Sequence, residues 1–394
     1  MRTFAVLMDR MKTIVKCLLG LLIGISAGMI VACAFIVMFT DLTLTVFFEK
    51  LCSVDLFMLS LSSLGGIVFF AISLPVLVLA HETGHLAGGL LSGYKFVSFR
   101  IFRFTIIKAD GRYRLKRFAV SGTGGQCLLM PPDRPLKRIP VVLYNSGGVI
   151  ANVLILFAFM PLLWIDGGAF LYEFVVIFLF TDVIIILMNG VPMNVGNVGN
   201  DGYNALLLRR SEASKRGIVT QLRVNAMIQN GVRPKDMPAE WFVVADDFDY
   251  GNSLELSIPV MAMSRLVDEM KYDEALRGFE SLYEHRSEMM RLFAYEIACE
   301  LVFLRLITGD VSGAKSLYDK DLKKYIDDYR SVMSSKERIL CAMALIGEQN
   351  RAKAVGIYDD LYARKDSYLL QGEVKSDLAL MSSMLDADIE RRYR

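Results

Sequence analysis

The chain has 394 residues, 54% of them hydrophobic and 22% charged. Its mean hydropathy of +0.41 is too high for an ordinary soluble domain and places it in the membrane class. A net charge of +2 provides no global basic field for nucleic acid. The six cysteines (Cys17, Cys33, Cys52, Cys127, Cys299, Cys341) show no CxxC spacing, which argues against a disulfide framework and a thiolate metal site.

In chain order, the first uncharged run is residues 17–40, preceded by Arg2, Arg10, Lys12 and Lys16 and long enough to cross a bilayer. Its apolar residues continue past Ile30-Val31-Ala32-Cys33, a faint likeness to a lipoprotein cleavage box, so an uncleaved helix is expected rather than a signal peptide. The second run, residues 56–94, is too long for one straight span at about 1.5 Å per residue. Gly65-Gly66 and Pro75 offer places to break or bend it, and the crossing helix is expected at about residues 64–92. A third span is expected at residues 139–165. A fourth, at about residues 174–191, is interrupted by Asp182.

Basic residues decide the orientation. They crowd the N-terminal segment, the connection after the second span (Lys95, Arg100, Arg103, Lys108, Arg112, Arg114, Lys116, Arg117) and the segment after the fourth (Arg209-Arg210, Lys215-Arg216). The other two connections carry mainly acids: Asp41, Glu49 and Asp55 with Lys50, then Asp166 and Glu173. A multi-pass protein of the cell membrane with both termini cytoplasmic is expected. The lipid bilayer is then one of its partners, and nucleic acid is not.

After the second span, residues 95–108 are rich in aromatic and β-branched types. Ala109-Asp110-Gly111 reads as a tight turn and residues 112–120 return, so a small β-hairpin is expected. It could anchor at the interface or offer a strand edge to an extended peptide.

The chemistry lies in His81-Glu82-Thr83-Gly84-His85. Glu82 is the one charged residue between 56 and 94, and two of the three histidines in the chain are here. Four residues apart on a helix, both imidazoles face one side and can share an ion. Neutral imidazole suits zinc, and the adjacent carboxylate can take a proton from a bound water. A polar contact between transmembrane helices is the competing reading. A catalytic zinc site usually has a third protein ligand. His285 lies in a polar segment and reads as a surface residue. Asp201, beyond Asn189-Gly190-Val191-Pro192 and a loop over residues 193–200, either returns to the histidines or simply caps the following helix. Asp182 reads as a partner for a polar group such as Asn145, or as a second-layer or substrate contact.

Three elements in this order resemble the site-2 protease family of intramembrane zinc metalloproteases. They are His81 to His85, the small-residue run Gly147-Gly148-Val149-Ile150-Ala151-Asn152, and Asn189, Pro192, Asp201 and Gly202. The resemblance covers about residues 60–205. It implies Zn2+ held by His81, His85 and Asp201, with Glu82 as general base. Asn152 and Asn189 would then lie near a bound membrane-embedded protein or peptide substrate, and the hairpin near the substrate strand. The chain departs from the family pattern in having Gly148-Val149 where Gly-Pro is usual, and in the eight residues between Pro192 and Asp201. A non-catalytic membrane scaffold or peptide-binding protein of the same fold is the alternative. A transporter is a third reading, disfavoured because the spans show no internal repeat.

Beyond residue 205 the chain becomes polar. An amphipathic helix, or two, and a linker are expected over residues 206–253, followed by helices over 254–394. Ala275, Phe279 and Tyr283 recur as Ala314, Tyr318 and Leu322, then as Ala354, Tyr358 and Tyr362. The spacing resembles a tetratricopeptide-like array that could hold a regulatory protein; an ordinary helical bundle is the alternative. The expected fold is thus mainly α. It comprises an N-terminal span with an external loop (residues 1–55), a metalloprotease core (56–205) and a cytoplasmic helical part.

Overall fold

The computed structural model describes residues 56–109, 111–117 and 124–393, so the expected span at residues 17–40 lies outside the described residues. The chain divides into two compact units, Met1–Val68 and Phe69–Arg394. The sheet and every helix beyond Leu91 belong to the second unit. The protein is mainly helical with a small antiparallel sheet.

Helix α1 (Leu56–Leu91) runs without interruption through Gly65-Gly66 and Pro75. Gly65-Gly66 and Pro75 therefore do not divide it into two helices. Helices α2 (Val142–Phe159) and α3 (Gly168–Gly190) follow the sheet. Three segments, Ser62–Leu91, Leu136–Trp164 and Gly168–Gly190, are long and apolar enough to cross a membrane. Large apolar side chains such as Leu154, Phe157 and Phe180 are more than 60% exposed on them, the pattern that a lipid-facing surface requires.

The α1–α2 contact is made by backbone. A Cβ built on Gly84 would stand 2.2 Å from the carbonyl oxygen of Gly147, and one on Gly147 would stand 2.3 Å from that of Gly84. Small residues four apart (Gly84 and Gly88) permit this approach, as in small-xxx-small membrane pairs.

The sheet has the order β3-β2-β1-β4, with β1 Lys95–Ile101, β2 Phe104–Ala109, β3 Arg112–Arg117 and β4 Gly125–Met130. The expected hairpin is present as β2–β3, closing at the Ala109↔Arg112 pair. It is only half of the sheet. Residues 95–108 form two strands that reverse at Phe102, which takes a φ of 49°. A turn made by a phenylalanine carries no turn residue to announce it. The sheet packs through Val97, Cys127 and Leu129 on Ile139, Val141, Leu208 and Leu222.

Between α3 and the next helix, Asn194–Val195 (β5) and Val198–Gly199 (β6) form a two-stranded hairpin. Its central residues Gly196 and Asn197 both have positive φ, as a two-residue turn of the primed type demands. The extra loop residues are absorbed in this hairpin. Asn200 pins its base: its amide nitrogen donates to the carbonyls of Met188 and Val191, and its side-chain oxygen accepts from the Met193 and Tyr203 amides.

The polar segment yields two helices, α4 (Asp201–Arg210) and α5 (Glu212–Gln229), split where the Ser211 side chain caps α5. Helices α6 (Ser253–Asp268), α7 (Tyr272–Glu284), α8 (Arg291–Thr308), α9 (Val311–Leu317), α10 (Lys320–Tyr329), α11 (Ser334–Ala342), α12 (Arg351–Ala363) and α13 (Gln371–Tyr393) complete the chain. They share a core centred on α8. Ala275, Ala314 and Ala354 are all fully buried there. The second recurrence, however, is divided, with Ala314 on α9 and Leu322 on α10. The same region buries ion pairs, including Arg338 with Glu300 and Asp377, and Lys336 with Glu296.

Candidate metal centre

On α1, one turn of helix separates His81 from His85, and each ring is anchored through Nδ1. His81 Nδ1 lies 2.8 Å from Asn152 Oδ1, and His85 Nδ1 lies 2.8 Å from the Tyr144 carbonyl oxygen. The Asn152 orientation follows from its other end, where Nδ2 donates to Asp182 Oδ1 at 2.7 Å. Both Nδ1 atoms therefore face acceptors and carry the ring protons, which leaves both Nε2 lone pairs free.

Those lone pairs converge on α4. Asp201 Oδ2 lies 3.0 Å from His81 Nε2 and 3.2 Å from His85 Nε2, and the two Nε2 atoms are 3.2 Å apart. Zinc with bonds of about 2.0–2.1 Å and tetrahedral angles spaces its ligand atoms roughly 3.3 Å apart. The observed triangle is just inside that spacing, and its three donors are of the type zinc takes, so the residues fit the ion. Asp201 is the first residue of α4, and the cap is Asn200; the side chain of Asp201 is thereby free to face the histidines. The close contact of Gly202 with the carbonyl of Gly190, 2.2 Å from a built Cβ, sets α4 against the end of α3.

Glu82 is buried, at 9% exposure, beside His81. Its carboxyl packs on Gly125 at the start of β4, where a built Cβ would stand 2.4 Å from Oε1. Arg100, also buried, donates to the carbonyls of Phe102 and Gly125. Tyr144 closes this corner by donating from its hydroxyl to the Cys127 carbonyl at 2.5 Å. The sheet therefore brings a backbone edge and a guanidinium to the carboxylate of the HExxH helix.

The two asparagines make different contacts. Asn152 is fully buried behind His81, with both ends of its amide engaged. It is suited to orient that ring. Asn189 donates to the carbonyl of Ile185 on its own helix. Asp182 pairs with Asn152 rather than Asn145, which bonds Val141 instead. His285, as expected, is a surface residue, paired with Glu288. Sequence reasoning missed Arg100, Tyr144 and Gly125. Arg100 gave no signal within a basic loop. For Asp182, Asn145 and Asn152 lie two turns apart on one helix face, and nothing local chooses between them.

Among the described residues, His81, His85 and Asp201 are the one group of acidic, histidine or cysteine side chains placed to hold a metal ion. No protein-family model, curated protein or solved structure matches the chain.

Proposed function

We propose that this protein is a zinc-dependent intramembrane endopeptidase of the site-2 protease type. The observation that carries the reading is the meeting of two Nε2 atoms and one carboxylate oxygen within 3.2 Å, next to a buried glutamate on a helix apolar enough to cross a membrane. His81, His85 and Asp201 would hold the zinc ion, which when bound acidifies water and polarises a carbonyl.

The chain's own residues do the rest. Asn152 and the Tyr144 carbonyl fix the ring tautomers so that both Nε2 atoms face the site. Asp182 fixes Asn152 in turn. Glu82 accepts the proton of the attacking water at its carboxylate and returns it to the leaving amine. Burial against Gly125 keeps that carboxylate in one position. A membrane-spanning substrate must unwind before cleavage, because a helical peptide bond is covered by its own hydrogen bonds. The edge strand β4 beside Glu82 suits the extended form that results. We further read the whole chain as four spans including residues 17–40, with both termini cytoplasmic, and the C-terminal helices as a tetratricopeptide-like surface for a regulatory protein.

Co-expression of candidate single-span proteins with wild type and with Glu82→Gln tests the reading. Processing by wild type and at least a thousandfold slower processing by Glu82→Gln is the expected pair of results. Equal processing by both removes the catalytic role and leaves the scaffold alternative. Asn152→Ala is expected to weaken zinc about 10–100-fold, the usual cost of losing an outer partner of a ligating histidine, with the fold intact by circular dichroism. Chelator competition measures it; wild-type affinity would show that Asn152 does not orient His81.

A further inference from the structure

A second site lies away from the histidines, where the start of the Leu136–Trp164 segment meets the junction of α4 and α5. It is an open groove of about 920 Å³ with two kinds of wall. One is basic: Lys137, Arg209, Arg210 and Lys215, opposed by the single carboxylate Glu212. Lys137, Arg209 and Arg210 are exposed, and among the described residues none of them has an ion-pair partner. Lys215 donates to the Lys137 carbonyl, tying together the parts of the basic wall that come from the two segments. The other wall is Leu143, Ser146 and Ile150, at i, i+3 and i+7 on one face of α2. Leu143 and Ile150 are 41% and 44% exposed.

We infer that this groove binds an anionic phospholipid, with the headgroup phosphate on Lys137, Arg209 and Arg210 and an acyl chain along Leu143, Ser146 and Ile150. The charge calls for an anion and the stripe calls for a hydrocarbon, and the two walls meet where the apolar segment begins. A phospholipid of the leaflet is the ligand that carries both parts at that depth. A free phosphate would leave the apolar wall uncovered, and an apolar peptide would leave three cations without counter-charge. Residues 137 and 209–210 also fall on the side that the basic loops assign to the cytoplasm, where anionic lipids concentrate. The inference rests on the membrane placement of the apolar helices and is independent of the metal chemistry.

Native mass spectrometry of the full-length protein in detergent tests it, with titrations of phosphatidylglycerol, phosphatidylcholine and inorganic phosphate. Phosphatidylglycerol should be retained as a stoichiometric adduct, and phosphatidylcholine at least tenfold more weakly. Lys137→Gln, Arg209→Gln and Arg210→Gln together should weaken phosphatidylglycerol roughly hundredfold, at about fivefold per cation. Lys315→Gln, Lys320→Gln and Lys323→Gln together, which remove the same charge from exposed α9 and α10 positions, should leave it unchanged. Equal losses from both triple variants would reduce the effect to net charge and overturn the proposal. Equal retention of both lipids, or displacement of the adduct by inorganic phosphate at equal concentration, would do the same. A photocrosslinker at Ser146 (Ser146→p-benzoylphenylalanine) in native membranes should capture lipid. Capture of protein instead, whether from this chain or a second copy, would mean that a polypeptide fills the groove.

Discussion

Full-length protein purified in detergent and loaded with zinc should carry about one ion per chain. His85→Ala and Asp201→Ala should each carry less than a tenth of that. The physical reason is the donor count. Two imidazoles and one carboxylate are the smallest set that usually holds a catalytic zinc, and each variant leaves two donors. The loss should exceed the 10–100-fold typical of an outer partner, because a bond to the ion itself is gone. Asp201→Ala is the more informative of the two. His85 lies on the same helix turn as His81, whereas Asp201 reaches the pair from 120 residues away, and its place depends on the β5–β6 hairpin and the Asn200 cap. Glu82→Gln should keep its zinc, since Glu82 is not one of the three donors. Metal analysis by inductively coupled plasma mass spectrometry separates these outcomes. Full occupancy in Asp201→Ala would exclude Asp201 as a ligand. A wild-type protein that takes up no zinc would remove the metal centre altogether.

The second large effect is expected from one methyl group. Gly148→Ala should abolish zinc binding as completely as removal of a ligand. A Cβ at residue 148 would stand 2.5 Å from His81 Nε2 and 2.6 Å from His85 Nε2, well inside the roughly 3.5–4.0 Å of a comfortable carbon contact. Neither partner can yield cheaply. The rings are held at Nδ1 by Asn152 and by the Tyr144 carbonyl, and α2 cannot withdraw as a body without parting the Gly84–Gly147 backbone contact. Either ring rotation or helix separation breaks the triangle of donors. Leu154→Ala, a larger change at a 64% exposed position of the same helix, should bind zinc like wild type. Chelator competition compares the three proteins, with circular dichroism to show that each is folded. Wild-type affinity in Gly148→Ala would mean that the helices lie farther apart than described.

Much of the site was legible because its first half is local. An apolar run with two histidines four apart needs only the helical repeat to place both rings on one face. The apolar runs for α1, α2 and α3 were legible for the same reason, since length and composition alone define a segment able to cross a membrane. Their ends were less so: the helix expected at 64–92 begins by Leu56, and the span expected to open at 174 begins at Gly168. A helix can begin ahead of the residues that best mark its apolar run, and at α3 it runs through the charged Glu173 that bounded the expected span. The sheet was half legible. Gly111 announced the β2–β3 turn, whereas Phe102 gave no warning of the β1–β2 reversal.

Asn152 marks a limit of reading by spacing. Which group lies behind the ring of His81 is not set by the residues around either of them. That group proved to be the amide itself, held by Asp182 of another helix. A carboxylate in an apolar helix must find a partner, so the sequence required that Asp182 be paired without saying with what.

From the chain alone come the three apolar helices within the described residues that are long enough to cross a membrane, the paired imidazoles with their neighbouring glutamate, and a helical C-terminal half. Each depends on composition or on spacings within about two helical turns, where the chain's own geometry determines who faces whom. Tertiary structure alone decided that Asp201 joins the histidines, that Asn152 and Asp182 stand behind His81, and that Gly148 faces the rings. It also decided that Gly125 and Arg100 come to Glu82. Those contacts join residues tens to more than a hundred positions apart, and they exist because glycine backbones let α1, α2 and the ends of α3 and α4 approach more closely than any side chain would allow.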